Sequence, residues 1–137
     1  MKKTALTIFA LLLFACFAKI NAQTDAEMKA WLDYMTPGDI HKMLAKSDGD
    51  WTADLTMWMA PNTPPTKTTG TCNNGMLLGG RYQQSRYAAN INGMPFEGIS
   101  TLAYDNALKK FISTWIDNMG TGITILEGSW DNATKSL

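Results

Sequence analysis

The side chains that most often carry acid–base or nucleophilic chemistry are few in this chain. It has one histidine, His41, and two cysteines, Cys16 and Cys72. Catalysis by histidine needs a partner that positions the ring, and a tetrahedral metal site needs several His, Cys or carboxylate ligands. Because His41 lies on a predicted helix, a surface or helix-capping role is the commoner one. We therefore predict no catalytic residue, no metal site and no cofactor.

Cys72 and the glycine-rich segments give no better support for catalysis. Cys72 lies on a threonine-rich predicted strand without a neighbouring histidine, which favours a buried structural thiol over a nucleophile. Gly79-Gly80 and Gly120-Thr121-Gly122 lack the lysine or the strand-to-helix context of a phosphate-binding loop. The sequence therefore disfavours the familiar hydrolases and isomerases.

A second set of residues is suited to binding. Tyr82, Glu97, Trp115 and Asp117 place two carboxylates and two amphipathic rings on predicted strands. Ligand pockets commonly combine an apolar, aromatic wall with a few polar groups that orient the guest. We take these four as candidate ligand-binding residues inside a barrel that the strands are expected to form. The alternative is structural, with Glu97 and Asp117 solvated at the surface.

Arg81 and Arg86 are the only arginines of the chain. Arginine pairs with carboxylates and stacks on aromatic rings. We predict a structural role for both, with one of them over the ring of Trp51. In that interpretation Trp51 is buried and the arginine closes one end of the sheet.

Two short helices are predicted over residues 23–48. Apolar residues recur at helical spacing from Met28 to Met35. Thr36 and Pro37 then resemble the N-cap and first turn of a second helix. We expect this second helix to pack across one end of the sheet.

The remainder, residues 49–137, alternates between apolar and polar positions as strands do. Gly49-Asp50-Trp51 opens the first strand, as a Gly-x-Trp opens lipocalin-like barrels. Asn73-Asn74-Gly75 and Asn92-Gly93 are predicted turns, and Gly79-Gly80 a bend inside one long strand. Six strands are predicted, at residues 51–59, 67–73, 76–91, 96–104, 110–117 and 121–130.

Residues 1–22 have the layout of a secretory signal peptide. A lysine pair precedes an uncharged apolar run, and Ala22 offers a small residue before Gln23. The run is shorter than the roughly 20 residues of a membrane-spanning helix. An alternative is lipid attachment at Cys16, because the residues before it loosely resemble a lipobox. We predict export to the periplasm or cell surface, with membrane contact only if Cys16 is lipidated.

The charge and cysteine content of the chain further limit the class of protein it can be. The chain carries 12 basic and 12 acidic residues, without the basic patch that nucleic-acid binding requires. After loss of residues 1–22 a single cysteine remains, so no internal disulfide is expected. Stability must then come from the core of one small domain.

Several short motifs occur in a fixed order along the chain. They are Met35-Thr36-Pro37-Gly38 before His41, Gly49-Asp50-Trp51, Leu78-Gly79-Gly80-Arg81, Gly93-Met94-Pro95-Phe96-Glu97-Gly98, Tyr104-Asp105 and Trp115-Ile116-Asp117. The ordered set resembles an exported bacterial family known as domain of unknown function fifteen seventy-nine, over nearly all of the chain after residue 22. The resemblance implies a lipocalin- or calycin-like fold and export, and it implies no reaction. Family members similar to this chain continue beyond the position of Leu137 with further strands.

The sequence thus predicts an all-β, calycin-like antiparallel up-and-down barrel with two short N-terminal helices. The barrel is expected to be incomplete at its C-terminus, because closing one around an interior takes about eight strands. Open edges pair with other chains, so edge-to-edge self-association is expected. The favoured function is non-covalent binding of a small, partly apolar molecule. The alternative is an envelope protein that acts through a partner surface without a small ligand.

Overall fold

The computed structural model describes residues 24–134, 136 and 137. The predicted signal peptide and the alternative lipid site at Cys16 lie outside the described residues. Among the residues that are described, no helix has both the length and the hydropathy needed to cross a bilayer.

The first described element is a helix, α1, at residues 24–35, in the unit of the chain that ends at Thr36. Thr36 closes this helix, because its backbone N–H and its hydroxyl both donate to the carbonyl of Leu32, at 3.1 and 2.7 Å. The rings of Trp31 and Tyr34 lie 6.1 Å apart on α1.

The second unit, Pro37–Leu137, begins with helix α2, Asp39–Ala45. The predicted N-cap at Thr36 is wrong, because Thr36 is already engaged in ending α1. Gly38 is the N-cap, and its N–H donates to Nδ1 of His41 at 3.0 Å. A side chain three residues into the helix therefore satisfies one of the donors left free at the helix start.

Six strands follow and form one antiparallel sheet in which strand order equals chain order. The prediction of six consecutive antiparallel strands is confirmed. Their bounds are β1 (Gly49–Met57), β2 (Thr66–Leu77), β3 (Tyr82–Ile91), β4 (Met94–Asp105), β5 (Lys110–Asp117) and β6 (Thr124–Gly128).

The connection between β2 and β3 differs from the prediction. Asn73-Asn74-Gly75 is not a turn but lies within β2, where the Asn73 amide donates to Asp50 Oδ1 on β1 at 2.6 Å. The chain turns instead at residues 78–81, with φ of 68° at Gly79 and 84° at Gly80. Glycine adopts such angles without steric cost. The strand predicted at 76–91 therefore starts only at Tyr82, as β3, and Met76 and Leu77 belong to the end of β2.

The turn at Asn92-Gly93 is confirmed. It joins β3 to β4 through two residues with φ of 54° and 85°, as a tight two-residue hairpin requires. The Asn90 side chain supports the turn by accepting from the N–H of Gly93 at 2.8 Å.

The two faces of the sheet follow from strand geometry. Side chains alternate along each strand, and directly paired residues share a face. We call helix face the side on which Gln83 bonds to Leu44 of α2 and Tyr104 lies edge-on to His41 of α2, with ring centroids 6.0 Å apart. The other side is the open face. By register, the helix face bears Cys72, Gln83, Ser85, Tyr87, Ser100, Phe111, Ser113, Trp115 and Asp117.

The core lies between α2 and the helix face, at the end of the sheet where β3 and β5 begin and β4 ends. Phe111 on β5 is 3% exposed and contacts the ring of Tyr104, with centroids 4.9 Å apart. The other buried side chains of this layer are His41, Leu44, Cys72, Gln83 and Ser85. The second helix was predicted to pack across one end of the sheet, and α2 contacts the sheet at one end, through Gln83 and Tyr104.

The outer strands each have one free edge within the described chain. β1 pairs only with β2, and β6 only with β5. The described sheet is therefore open, and its closure into a calycin-like barrel stays a prediction. Large apolar side chains at and just before β6 are exposed: Ile123, Ile125 and Leu126.

Candidate ligand-binding site

A cavity of about 520 Å³ lies on the helix face and extends from β2 to β6. Its polar lining is Asn74, Gln83, Ser85, Ser100 and Ser113, and its apolar lining includes Tyr87, Leu102, Phe111 and Leu126. Pockets for small molecules span about 300–1,000 Å³ and are mainly apolar with a few polar groups. The size and the lining both suit a small, partly apolar molecule.

Strand register brings these hydroxyl groups together. Ser85 on β3 is directly opposite Ser100 on β4, and Ser113 on β5 is opposite Leu102 on β4. Ser113 in turn faces Leu126 across the pair of β5 and β6. Small polar and larger apolar side chains thus alternate across the strands, which leaves space above the serines.

Gln83 anchors the end of the cavity that is nearest to α2. Its buried amide nitrogen lies within hydrogen-bond distance of Leu44 O at 2.8 Å, Ser47 Oγ at 2.9 Å and Asp48 Oδ1 at 3.1 Å. These acceptors belong to α2 and to the segment that connects it to β1. One side chain of β3 therefore fixes the position of the helix over the sheet.

An aromatic cluster adjoins the cavity on the same face. The Trp115 ring lies 5.3 Å from that of Tyr87 and 6.3 Å from that of Phe96, measured between centroids. Its Nε1–H donates to Asp117 Oδ2 at 2.6 Å. The ring crosses β4 at Gly98, where a Cβ atom would stand 2.5 Å from it. Gly98 therefore gives Trp115 the room to lie flat against the sheet.

A larger depression, of about 790 Å³, is lined mainly by open-face residues, among them Asp50, Asn73, Arg86 and Glu97, together with helix-face residues such as Asp117. Several polar groups there bond to one another or to neighbours. Asn73 donates to Asp50, and Arg86 Nε donates to Gln84 Oε1 at 3.1 Å. Most rim side chains of this depression are solvent-exposed, whereas Gln83, Ser85 and Phe111 in the smaller cavity are buried. We therefore regard the helix-face cavity as the better binding site.

The four residues predicted to bind a ligand are divided between the faces. Trp115 and Asp117 lie together on the helix face and are hydrogen-bonded. Tyr82 and Glu97 lie on the open face, because they pair with Ala103 and Ala88 there. None of the four borders the helix-face cavity, although Trp115 contacts its lining residue Tyr87.

The predicted stacking of an arginine on Trp51 is wrong. Trp51 is on edge strand β1 and 52% exposed, with its indole N–H donating to Ser47 O at 2.9 Å. Arg86 lies two strands away on the opposite face, and Arg81 lies in the β2–β3 turn and donates to Leu78 O at 2.9 Å. An edge strand offers neighbours on one side only, so Trp51 is half covered.

The lone histidine and the described cysteine have structural partners. His41 caps α2 and is buried against Tyr104, so it is a capping residue without being a surface one. Cys72 is buried, as predicted, and its thiol donates to Asn74 Oδ1 at 3.1 Å. Within residues 24–134, 136 and 137, no three His, Cys, Asp or Glu side chains are grouped to hold a metal ion.

The serines and amides of the cavity were not predicted as site residues. A signal for them is present in the alternation of each strand, since Ser85 lies two residues before Tyr87 and Ser113 two residues after Phe111. Alternation places each pair on one face. Recognising them as one site also needs the register between strands, which a misplaced β2–β3 turn conceals.

Comparison with known proteins places this chain in a family. Searches among curated proteins and among solved structures give no match. The family DUF1579, described as a protein of unknown function, matches residues 36–137, which comprise α2, all six strands and the cavity. The chain belongs to the DUF1579 family of proteins of unknown function.

Proposed function

We propose that the protein binds a small, partly apolar molecule non-covalently in the helix-face cavity. The observation that carries this proposal is the concentration of uncharged hydrogen-bonding side chains and aromatic rings in one partly buried space of about 520 Å³. Trp115, Tyr87 and Phe111 supply flat apolar surface at or beside it. Ser85, Ser100 and Ser113 supply hydroxyls that would orient the guest.

The test is a fluorescence titration of the protein with fatty alcohols, sterols, quinones and fatty acids. A guest in the cavity should quench Trp115, because that ring touches the lining residue Tyr87. Trp115→Phe should remove most of the quenching while binding, followed by calorimetry, persists. Absence of saturable binding across the whole set would overturn the proposal.

Adjacent residues on β4 provide a matched pair of variants. Ser100 and Thr101 are both half-buried and lie on opposite faces of the sheet. Ser100→Leu fills the cavity and removes a hydroxyl, so affinity should fall about tenfold or more, equivalent to 1.4 kcal/mol. Thr101→Leu should leave affinity unchanged. Equal effects of the two variants would move the site away from the helix face.

A second candidate function has its own support at β6. Ile123, Ile125 and Leu126 are exposed next to a strand edge whose backbone is unpaired among the described residues. Such edges pair with further strands. We propose as the alternative that this edge binds a protein partner, including a second copy of the chain. Size-exclusion chromatography with light scattering tests self-association, and a monodisperse monomer at all concentrations would exclude the second copy as partner.

Export remains part of the proposal. It is supported by the signal-peptide pattern of residues 1–22 and by the junction Ala22-Gln23. N-terminal sequencing of the protein recovered from outside the cytoplasm should begin at Gln23. A lipidated Cys16 at the N-terminus would contradict simple cleavage and would place the protein on a membrane.

A further inference from the structure

Charged residues are divided unequally between the two faces of the sheet. The basic residues within β1–β6 all lie on the open face by register: Lys67, Arg86 and Lys110. The acidic residues Asp50, Asp54, Glu97, Asp105 and Glu127 lie there too. Within the six strands, Asp117 is the one ionisable carboxyl or basic group on the helix face. Within β1–β6 the helix face therefore carries no basic residue, and Lys42 and Lys46 of the α2 region are not among the residues that line the cavity.

The two carboxylates at the ends of the helix face are already bonded. Asp117 accepts from Trp115 Nε1 and from the N–H of Met119, at 2.6 and 2.9 Å. Asp48, just before β1, accepts from Gln83 Nε2 at 3.1 Å and from the N–H of Met76 at 3.3 Å. Both carboxylates already accept hydrogen bonds from donors of the protein. Because both are negatively charged, they do not attract an anionic guest.

Glu127 also borders the cavity, at its outer strand. Its carboxylate lies 3.5 Å from Nζ of Lys110, and both side chains are on the open face. That pair is more than half exposed and adds no positive charge to the cavity. Among the lining residues that the structure describes, the cavity thus contains hydroxyl and amide groups and no basic side chain.

We infer that the guest of the helix-face cavity is uncharged, with hydroxyl, carbonyl or amide groups at one end and hydrocarbon at the other. Burying a charged group without a partner costs several kilocalories per mole more than burying a neutral group that finds hydrogen bonds. Ser85, Ser100 and Ser113 can both donate and accept, so they satisfy either kind of neutral group. This inference rests on the proposed function and narrows it, because it excludes fatty acids and other amphipathic anions.

A matched series of decanol, decanoate and decylamine at neutral pH tests the charge of the guest. The three share one hydrocarbon chain and differ in the head group, which is neutral, anionic or cationic. Decanol should bind at least about tenfold more tightly than either ion, a difference of 1.4 kcal/mol. Decanoate or decylamine binding as tightly as decanol would overturn the inference while leaving the proposed function intact. No binding of any of the three, nor of the wider screen, would defeat both.

A single added charge on either face of β6 tests the role of the cavity directly. Leu126 lies on the helix face and borders the cavity, and its neighbour Ile125 lies on the open face; they are 61% and 65% exposed. Leu126→Lys should raise affinity for decanoate about tenfold, because it supplies the missing counter-ion. Ile125→Lys adds the same net charge on the other face and should leave affinity for decanoate unchanged. Equal gains in both variants, or a gain in neither, would overturn the inference.

Discussion

The middle of the sheet and its edges contain similar residues in very different surroundings. Phe111 on β5 and Leu126 on β6 share the helix face, yet Phe111 is 3% exposed and Leu126 is 61% exposed. The difference comes from position, since Phe111 has strands on both sides and α2 nearby, whereas β6 has a single neighbour. In this fold, the apolar character of a strand residue therefore does not indicate how much that residue contributes to stability. Its position in the sheet decides the contribution.

The comparison is tested most strongly at Phe111. Phe111→Ala should lower the free energy of unfolding by about 3–5 kcal/mol, because it removes a buried ring that packs against Tyr104. Leu126→Ala should change it by about 0.5 kcal/mol or less, as substitutions on exposed surface usually do. Urea denaturation of both variants measures the contrast. Similar midpoints for the two would show that the centre and the edge are equally packed.

Trp51 lies on the same face as Phe111 and Leu126 and tests the opposite edge of the sheet, at β1. Because half of the ring is exposed and one hydrogen bond to Ser47 remains, Trp51→Ala should cost about 2 kcal/mol, less than Phe111→Ala. Trp51→Phe removes only the hydrogen bond and should cost about 1 kcal/mol. A loss at Trp51 that matches or exceeds the loss at Phe111 would mean that β1 is covered in solution.

Two glycines sharpen the same comparison. An added methyl at Gly98 would meet the ring of Trp115 at 2.5 Å, whereas one at Gly75 on β2 would have no atom within 4 Å. Trp115 is held by Asp117 and two rings, so Gly98→Ala should destabilise the protein by about 1–2 kcal/mol. Gly75→Ala should be neutral or slightly stabilising. Thermal melts decide, and a Gly98→Ala melting temperature equal to the parent's would show that Trp115 moves freely.

The smallest effect is expected on the solvent side of α2. The hydrogen bond and the charge of Lys42 hold the pKa of Asp39 below its ordinary value. A carboxyl with a lowered pKa stabilises the fold above its unfolded pKa, and that contribution is lost as pH falls through the folded pKa. The effect on α2 should therefore be confined to pH near and below 3.8.

An NMR titration of Asp39 measures that interaction. Lys42→Met should raise the pKa of Asp39 toward its ordinary value, because both the donor and the charge are removed. Both groups are largely exposed, so the melting temperature at neutral pH should scarcely change. An unaltered titration would show that the 2.9 Å contact between the two side chains is not maintained in solution.

Local sequence signals predicted the elements better than their borders. Asn92-Gly93 was assigned correctly because its turn type is set by two adjacent residues. Asn73-Asn74-Gly75 contains the same Asn-Gly pair but is not a turn, because the bond of Asn73 to Asp50 across the strands holds it in β2. The true turn at Gly79-Gly80 was interpreted as a bend. The pairing between strands determines which of the two glycine-containing segments forms the turn. A single segment does not encode that pairing.

The candidate site was predicted only in part, for a related reason. The shared face of Trp115 and Asp117 follows from alternation alone, and the structure places them together. Glu97 and Tyr82 were grouped with them by residue type, although register puts both on the other face. The face of one strand relative to the next depends on where the turns fall. When a turn is misplaced by a few residues, the sequence no longer shows that Ser85 and Gln83 share a face with the other site residues.

Strand order that equals chain order also affects how the sheet can assemble. Each strand pairs only with its neighbours in sequence, so each pairing closes one short loop at a small cost in chain entropy. Contacts of short sequence separation favour fast folding. The sheet can therefore form by successive addition of hairpins, and gain or loss of a hairpin at the β6 edge leaves the register of every remaining pair unchanged. Such a fold can vary in length between relatives without rearranging its first five strands.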